Sequence, residues 1–137
     1  MIYSNLYVRF YAFRQRVGLA LAAVWRLSSC RPYFLAAGLL QILNWLQAFF
    51  IYRHLTGEFL VLHYNVDFGV DLVGSPAQIF IYPLFSLGVF VFNLSVAAAF
   101  NRHRNFKLFA HLLLSTAIIF GLFFSLALLF IYLINFR

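Results

Sequence analysis

Three long runs of apolar residues divide the chain. They cover residues 33–52, 77–100 and 108–134, and each reaches the roughly 20 residues that a helix needs to cross a bilayer. Pro32 and Pro76 stand just before the first two runs, where proline is favoured at a helix start. The pattern predicts three transmembrane helices, joined by a long loop over 53–76 and a short loop over 101–107. Pro83 is expected to kink the second helix, and the third run is long enough to tilt or to extend past the bilayer.

A different pattern follows the first run, because residues 61–74 alternate strictly. Apolar side chains take the even positions from 62 to 72, and the positions between them hold His63, Asn65, Asp67, Gly69 and Asp71. Alternation with period two predicts a half-buried strand. The segment is expected either to fold back near Asp67 as a hairpin or to offer its edge to a partner chain, because lipid cannot satisfy unpaired backbone groups.

Residues 1–31 mix aromatic residues with arginines and contain no acidic residue. The apolar part, 17–25, is too short to span a bilayer. This predicts an amphipathic helix that lies in the membrane interface, with Arg9, Arg14 and Arg16 toward anionic headgroups. Two alternatives stay open: a cleaved signal peptide, and a short helix that packs on the bundle.

The composition places the chain among integral membrane proteins. It has 137 residues, of which 65% are hydrophobic and 9% are charged, and a mean hydropathy of +0.92; soluble domains carry about 25% charged residues. The fold class expected is an all-α membrane domain over 1–137. Cys30 is the one cysteine and is expected to be a free structural thiol, with acylation as the alternative. Nucleic acid is not an expected partner, because the basic residues that give the net charge of +7 flank the apolar runs.

The basic residues also predict an orientation. Five arginines lie in 1–32 and three basic residues lie in 101–107, whereas the loop 53–76 holds only Arg53 and the tail only Arg137. All three acidic residues, Glu58, Asp67 and Asp71, lie in the loop 53–76. By the positive-inside rule the N-terminus is cytoplasmic and the C-terminus lies outside. The expected location is the plasma (inner) membrane, with an organellar inner membrane as the alternative.

Each apolar run contains a polar or small stripe at helical spacing. Such stripes pack helices together in lipid through hydrogen bonds worth roughly 0.6–2 kcal/mol each, so we expect them to face one another in a three-helix bundle. No Asp, Glu, Lys or Arg lies at mid-depth, which argues against an ion-coupled transporter. The expected helix-packing residues are Gln41, Asn44 and Gln47 in the first run, Ser86 and Asn93 in the second, and His111 and Ser115 in the third.

The outer loop offers the main candidate chemistry. Its candidate residues are His63, Asn65, Asp67 and Asp71. Three interpretations stay open: turn residues that bind backbone and water, a surface for a protein partner, and a metal or small-ligand site, which would require the strand to bend because alternate residues lie about 7 Å apart. No catalytic motif is present, and we expect no enzyme activity, no cofactor and no resident metal.

The same loop resembles one family. The loop lies between two predicted helices and has the form H-aromatic-N, then glycine, then V-D and a final glycine. This arrangement is similar to small bacterial membrane domains that include the sporulation-delay immunity proteins. The matching residues are His63, Tyr64, Asn65, Val70, Asp71 and Gly74. The family usually has prolines before the histidine, which are missing here, and its glycine stands one place earlier than Gly69. The resemblance covers about 50 residues; it implies a bacterial membrane protein in immunity or envelope signalling and implies no catalytic residue.

Together these patterns predict a small non-enzymatic membrane protein. It is expected to act through contacts with a protein partner or with further copies of itself, in immunity, envelope signalling or assembly. The alternative is an accessory structural subunit of a larger membrane complex.

Overall fold

The computed structural model describes residues 2–55, 57–67 and 69–136. They form four α-helices, two short strands and a 3-10 helix. In chain order these are α1 (Ile2–Arg26), α2 (Arg31–His54), β1 (Leu60–Asn65), β2 (Gly69–Gly74), the 3-10 helix (Pro76–Phe80), α3 (Ile81–Ala99) and α4 (Phe106–Asn135). Phe68 and Arg137, which entered the predictions above, lie outside the described residues.

Three helical segments are long and apolar enough to span a membrane, as predicted. They are α2 with 24 residues, the 3-10 helix together with α3 with 24 residues, and α4 with 30 residues. At 1.5 Å per residue, α4 is about 45 Å long, so it exceeds the roughly 30 Å of a hydrocarbon core. Large apolar side chains on all three helices are exposed, among them Leu39, Phe92 and Phe123, and such a surface suits lipid rather than water.

The second span begins differently from the prediction. The chain changes from 3-10 to α-helix between Phe80 and Ile81, two residues before Pro83. Pro83 therefore lies in the first turn of α3, where a backbone N–H has no partner within the helix. It costs no helical hydrogen bond there.

The helices pack into a bundle with one core at each end. At the hairpin end, which is the end that carries β1 and β2, the core contains Ile51 of α2, Leu60 of β1, Ile79, and Leu128 and Ile131 of α4. At the basic end, which is the opposite end and carries α1 and the loop between α3 and α4, the core contains Val24, Cys30, Ala97, Ala110 and Leu114. Both α1 and β1 are thus tied to the bundle through buried side chains.

A tight corner joins α1 to α2 at the basic end. Arg31 donates from Nε to the carbonyl of Trp25 at 2.8 Å, and its guanidinium carbon lies 5.6 Å from the centre of the Trp25 ring. The helix predicted within 1–31 is present as α1, and its second half packs on α3.

The interior face of α4 differs from the predicted stripe. The sequence named His111 and Ser115 as the packing residues of this helix, but the buried residues are Ala110, Leu114, Ala117, Gly121, Leu128 and Ile131. His111 and Ser115 are only partly buried. The interior face is instead one of small and apolar residues, and its small residues let the helix backbones approach closely.

The alternating segment forms a two-stranded antiparallel hairpin. Leu60 pairs with Gly74 and Tyr64 with Val70, and the register is irregular on both sides of His63. Gly69 has φ of 80°, a conformation that costs a residue with a Cβ atom. Of the two options that the sequence left open, the chain takes the hairpin, and its sheet contains no further strand among the described residues.

Candidate functional site

The irregular register brings two of the four candidate loop residues together. His63 stands opposite Leu72 rather than Asp71, and its side chain reaches diagonally across the hairpin. His63 Nδ1 donates to Asp71 Oδ1 at 2.7 Å, and the side chains are 61% and 41% exposed. Even a charged pair at such exposure contributes only roughly 0.2–1 kcal/mol, so this hydrogen bond adds little to the stability of the fold.

The other two candidate residues shape the turn. The amide oxygen of Asn65 accepts a hydrogen bond from the backbone N–H of Asp67 at 2.9 Å. This is an Asx turn, in which a side chain takes the place of a backbone acceptor. The Asx turn thus occupies the Asn65 oxygen at the hairpin tip.

The loop does not assemble a metal site within the part of the chain that the structure describes. No three His, Cys, Asp or Glu side chains there lie close enough to hold one ion. His63 and Asp71 supply two ligands on one face, whereas a structural zinc site takes four and a catalytic one takes three. The hairpin geometry favours the turn and partner-surface interpretations.

Asn135, at the end of α4, holds the hairpin to the bundle. Its Oδ1 accepts from Val61 N–H at 2.9 Å, and its Nδ2 donates to Val61 O at 2.8 Å and to Ile131 O at 2.8 Å. The side-chain amide thus pairs with β1 as a neighbouring strand would, and it satisfies two partly buried backbone groups. The Tyr82 hydroxyl donates to the next carbonyl, Leu62 O, at 3.3 Å. Sequence reasoning missed Asn135; its one signal was a polar residue directly after the last apolar run.

These bonds leave the two strands unequal. The β1 backbone contacts α4 and α3, whereas β2 has Val70, Asp71, Leu72 and Val73 exposed. An exposed strand with an unpaired edge is a template for another strand. The open side of the hairpin is therefore β2.

A second group of polar residues lies inside the bundle. Gln41 and Asn44 of α2 both donate to the Ser86 hydroxyl of α3, at 3.0 Å and 3.1 Å, and Asn44 also donates to the carbonyl of Gly121 in α4 at 3.2 Å. We call these four residues the polar cluster. It joins all three spans, and Asn44 is fully buried at its centre. Gly121 was absent from the predicted set because its backbone, not a side chain, takes part.

The other predicted packing residues have separate roles. Gln47 accepts from the Ser125 hydroxyl at 3.0 Å, and Asn93 is buried on α3. His111 donates from Nδ1 to Lys107 O at 2.7 Å and lies 3.6 Å from Cys30 Sγ. Ser115 lies beside the interior face without joining the cluster. Three buried amide atoms have no partner among the described residues: Gln41 Oε1, Asn44 Oδ1 and Asn93 Nδ2.

Cys30 is buried in the core at the basic end, with no exposed surface. Desolvation raises the pKa of its thiol, and the Ser29 hydrogen bond and the nearby Lys107 charge offset this only in part. A neutral, enclosed thiol is a poor nucleophile. The structure therefore favours the structural role over acylation.

No protein-family model, curated protein or solved structure matches the chain. The function is therefore inferred from three features of the chain itself: the hairpin with its free β2 edge, the polar cluster, and the charges at the basic end.

Proposed function

We propose that this chain is an integral protein of the plasma (inner) membrane that acts without catalysis, by holding a protein partner at its hairpin. The observation that carries the proposal is the hairpin itself. Asn135 ties β1 to the bundle, while β2 presents an exposed edge. Strand addition to such an edge gains backbone hydrogen bonds at little cost in ordering, because the template is already fixed.

The side chains of β2 suit such a contact. Val70, Leu72 and Val73 are each about half exposed, at 50%, 52% and 48%, and they flank the His63–Asp71 pair. In such a contact the apolar side chains supply buried area, and the polar pair orients the partner strand through hydrogen bonds. The partner is a different membrane or envelope protein or a second copy of this chain, in keeping with a role in immunity, envelope signalling or assembly.

A charge on β2 tests this edge. We expect Leu72→Lys to remove at least 90% of the partner that co-purifies with the wild type in mild detergent, because lysine on an edge strand blocks strand addition. Val66→Lys is the matched control: it adds the same charge at the hairpin tip, where Val66 is 89% exposed and lies outside both strands. Wild-type stoichiometry in Leu72→Lys, or equal loss in both variants, would contradict the edge.

The same purification addresses the second candidate, an accessory subunit of a larger complex. An exposed aromatic group beside the hairpin favours it: Trp45 stacks on Phe80 at 6.0 Å between ring centres, and Tyr52 lies 5.3 Å from the same ring. Aromatic residues are enriched in the cores of protein interfaces. Several different chains at fixed stoichiometry would support the subunit role, and a single partner or a homo-oligomer would count against it.

The proposed orientation has the basic end in the cytoplasm, since eight of the ten basic residues lie in 1–32 and 101–107. We expect Val70→Cys to react with a membrane-impermeant maleimide on intact cells, and Arg104→Cys to react only after permeabilisation. Native Cys30 should add little background because it is buried. Labelling of Arg104→Cys on intact cells would overturn the orientation.

A further inference from the structure

The basic end contains a cavity that two arginines from different elements share. Arg16 of α1 and Arg102 of the loop between α3 and α4 both line a space of about 380 Å³, together with Asn101. The sequence grouped Arg16 with Arg9 and Arg14 as surface charges of one helix. The fold separates Arg16 from them, because neither Arg9 nor Arg14 lines the cavity.

The two guanidinium groups have no acidic side chain to balance them. The three acidic residues of the chain, Glu58, Asp67 and Asp71, all lie in the segment 55–75 at the hairpin end. Arginine keeps its charge under all ordinary conditions, so the two side chains give the cavity a positive charge that no carboxylate offsets. A phosphate suits such a site because the planar guanidinium donates two parallel hydrogen bonds to it.

The cavity continues into an apolar groove. A second space of about 180 Å³ shares Phe13, Val17, Ser95 and Ala98 with the first and extends along α3 to Val91. From Ala98 to Val91 a helix descends about 10 Å. The site thus has charge at its mouth, just past the end of α3 at Ala99, and a mainly apolar groove that runs between α1 and α3 as far as Val91.

The larger groove at the hairpin end lacks this arrangement. It lies between α2 and α4, with a volume of about 680 Å³, and the basic residues that line it are Arg53 and His54. His54 Nδ1 already binds Phe50 O at 2.9 Å, and the Arg53 guanidinium lies over the Phe49 ring at 5.4 Å. These groups are engaged with their own helix, and they come from one element.

We propose that the cavity between α1 and α3 binds one anionic phospholipid of the adjoining leaflet, with its phosphate between Arg16 and Arg102 and an acyl chain against Val17 and Val91. The occupant is a lipid because charge and apolar groove are contiguous and lie where a span meets the membrane surface. The proposal depends on the membrane location of the chain and is independent of the hairpin partner.

Lipid retention in detergent tests the site. Full-length protein is loaded with phosphatidylglycerol or phosphatidylcholine of the same acyl chains, and bound lipid is counted by native mass spectrometry. We expect the wild type to retain one phosphatidylglycerol in preference to phosphatidylcholine, because the choline cation of phosphatidylcholine offsets the charge of its phosphate and is repelled by the two arginines. Arg16→Ala/Arg102→Ala removes the groups that donate to the phosphate, so it should lower phosphatidylglycerol retention by at least about tenfold and lose the preference. Arg16→Lys/Arg102→Lys should fall between them.

The matched control is Arg14→Ala/Arg104→Ala. It removes one arginine from the same helix and one from the same loop, both exposed and both outside the cavity. It should keep the preference of the wild type for phosphatidylglycerol. Equal loss of this preference in the two double variants would mean that the positive charge of the whole basic end attracts the lipid, and it would overturn the site. Ala98→Leu keeps both arginines but fills the groove, so it should also reduce retention, and full retention would overturn the acyl position.

Two further readouts separate the remaining outcomes. Glycerol 3-phosphate at millimolar concentration should not displace the lipid; full displacement would identify a site for soluble phosphates and overturn the lipid assignment. The partner held at the hairpin should co-purify unchanged with Arg16→Ala/Arg102→Ala. Failure of the lipid site therefore leaves the hairpin proposal standing, and failure of the hairpin proposal leaves the lipid site standing.

Discussion

Gly121→Val is expected to lower the stability of the bundle more than any other single change at a glycine of the three spans. A Cβ atom at Gly121 would lie 3.2 Å from Leu40 Cβ and 3.3 Å from Leu40 Cδ1, so even alanine is tight there and valine pushes α2 away from α4. Overpacking costs roughly 1–3 kcal/mol. The shift also breaks the bond from Asn44 to the Gly121 carbonyl, worth roughly 0.6–2 kcal/mol in lipid.

Gly88→Val provides the control for this effect. It makes the same change within α3, but Gly88 is exposed and a Cβ atom there meets nothing within 4 Å. Unfolding in detergent by SDS titration, followed by circular dichroism, gives the free energy of unfolding of both variants. Equal values for Gly121→Val and Gly88→Val would mean that close contact between α2 and α4 does not hold the bundle together.

Asn135→Ala is expected to release the hairpin from the bundle while leaving the three spans folded. The change removes both bonds to Val61 and leaves a partly buried N–H and C=O without their partner. Each orphaned group costs roughly 1–3 kcal/mol, which is comparable to the whole stability of an isolated two-stranded hairpin. Hydrogen exchange should show loss of protection over 60–74, and partner binding at β2 should fall with it.

His63→Ala is the matched control for Asn135→Ala. It removes one side chain and its hydrogen bond from the same hairpin, but the bond to Asp71 is exposed, and we expect a loss of protection that is small by comparison. If Asn135→Ala leaves exchange over 60–74 unchanged, or if His63→Ala has the larger effect, Asn135 is not what holds the hairpin.

The sequence predicts the three long apolar helices well because lipid imposes a strong and simple rule on chains of this composition. A backbone in hydrocarbon must satisfy its own hydrogen bonds, so long apolar runs become helices. The hairpin could also be predicted as one of two options, since Asn65, Asp67 and Gly69 are turn residues inside an alternating segment. A hairpin forms only if residues 60–65 pair with residues 69–74 of the same chain. The alternating pattern shows that both segments are extended, but it does not show which strand each one pairs with.

The interior face of α4 was not predictable from polarity. Exposed hydroxyl groups bind carbonyls of their own helix: Thr116 donates to Leu112 O at 2.9 Å, as Ser95 of α3 does to Val91 O at 2.8 Å. A serine or threonine therefore carries little information about which face is inside. The small residues Ala110, Ala117 and Gly121 mark that face instead, as the packing of helices in lipid requires.

The residues that hold distant segments together were the least predictable. Asn135 binds Val61 only because the fold places the end of α4 beside β1. In the same way, Arg16 and Arg102 share a cavity only because the fold places α1 beside the loop after α3. On the sequence Arg9, Arg14 and Arg16 are equivalent. Long-range pairing of this kind requires three-dimensional information.

The bond between Asn135 and Val61 also sets an order of events as the chain leaves the ribosome. The two residues are 74 positions apart, so β1 is synthesised before α3 and α4 but acquires its side-chain partner last. The contacts of the hairpin with Ile79 and Tyr82 can form once the second apolar helix is made, but the bonds to Asn135 must wait for the final turn of α4. A chain arrested before that turn would lack the Asn135 bonds, so a fully docked hairpin reports that α4 is complete.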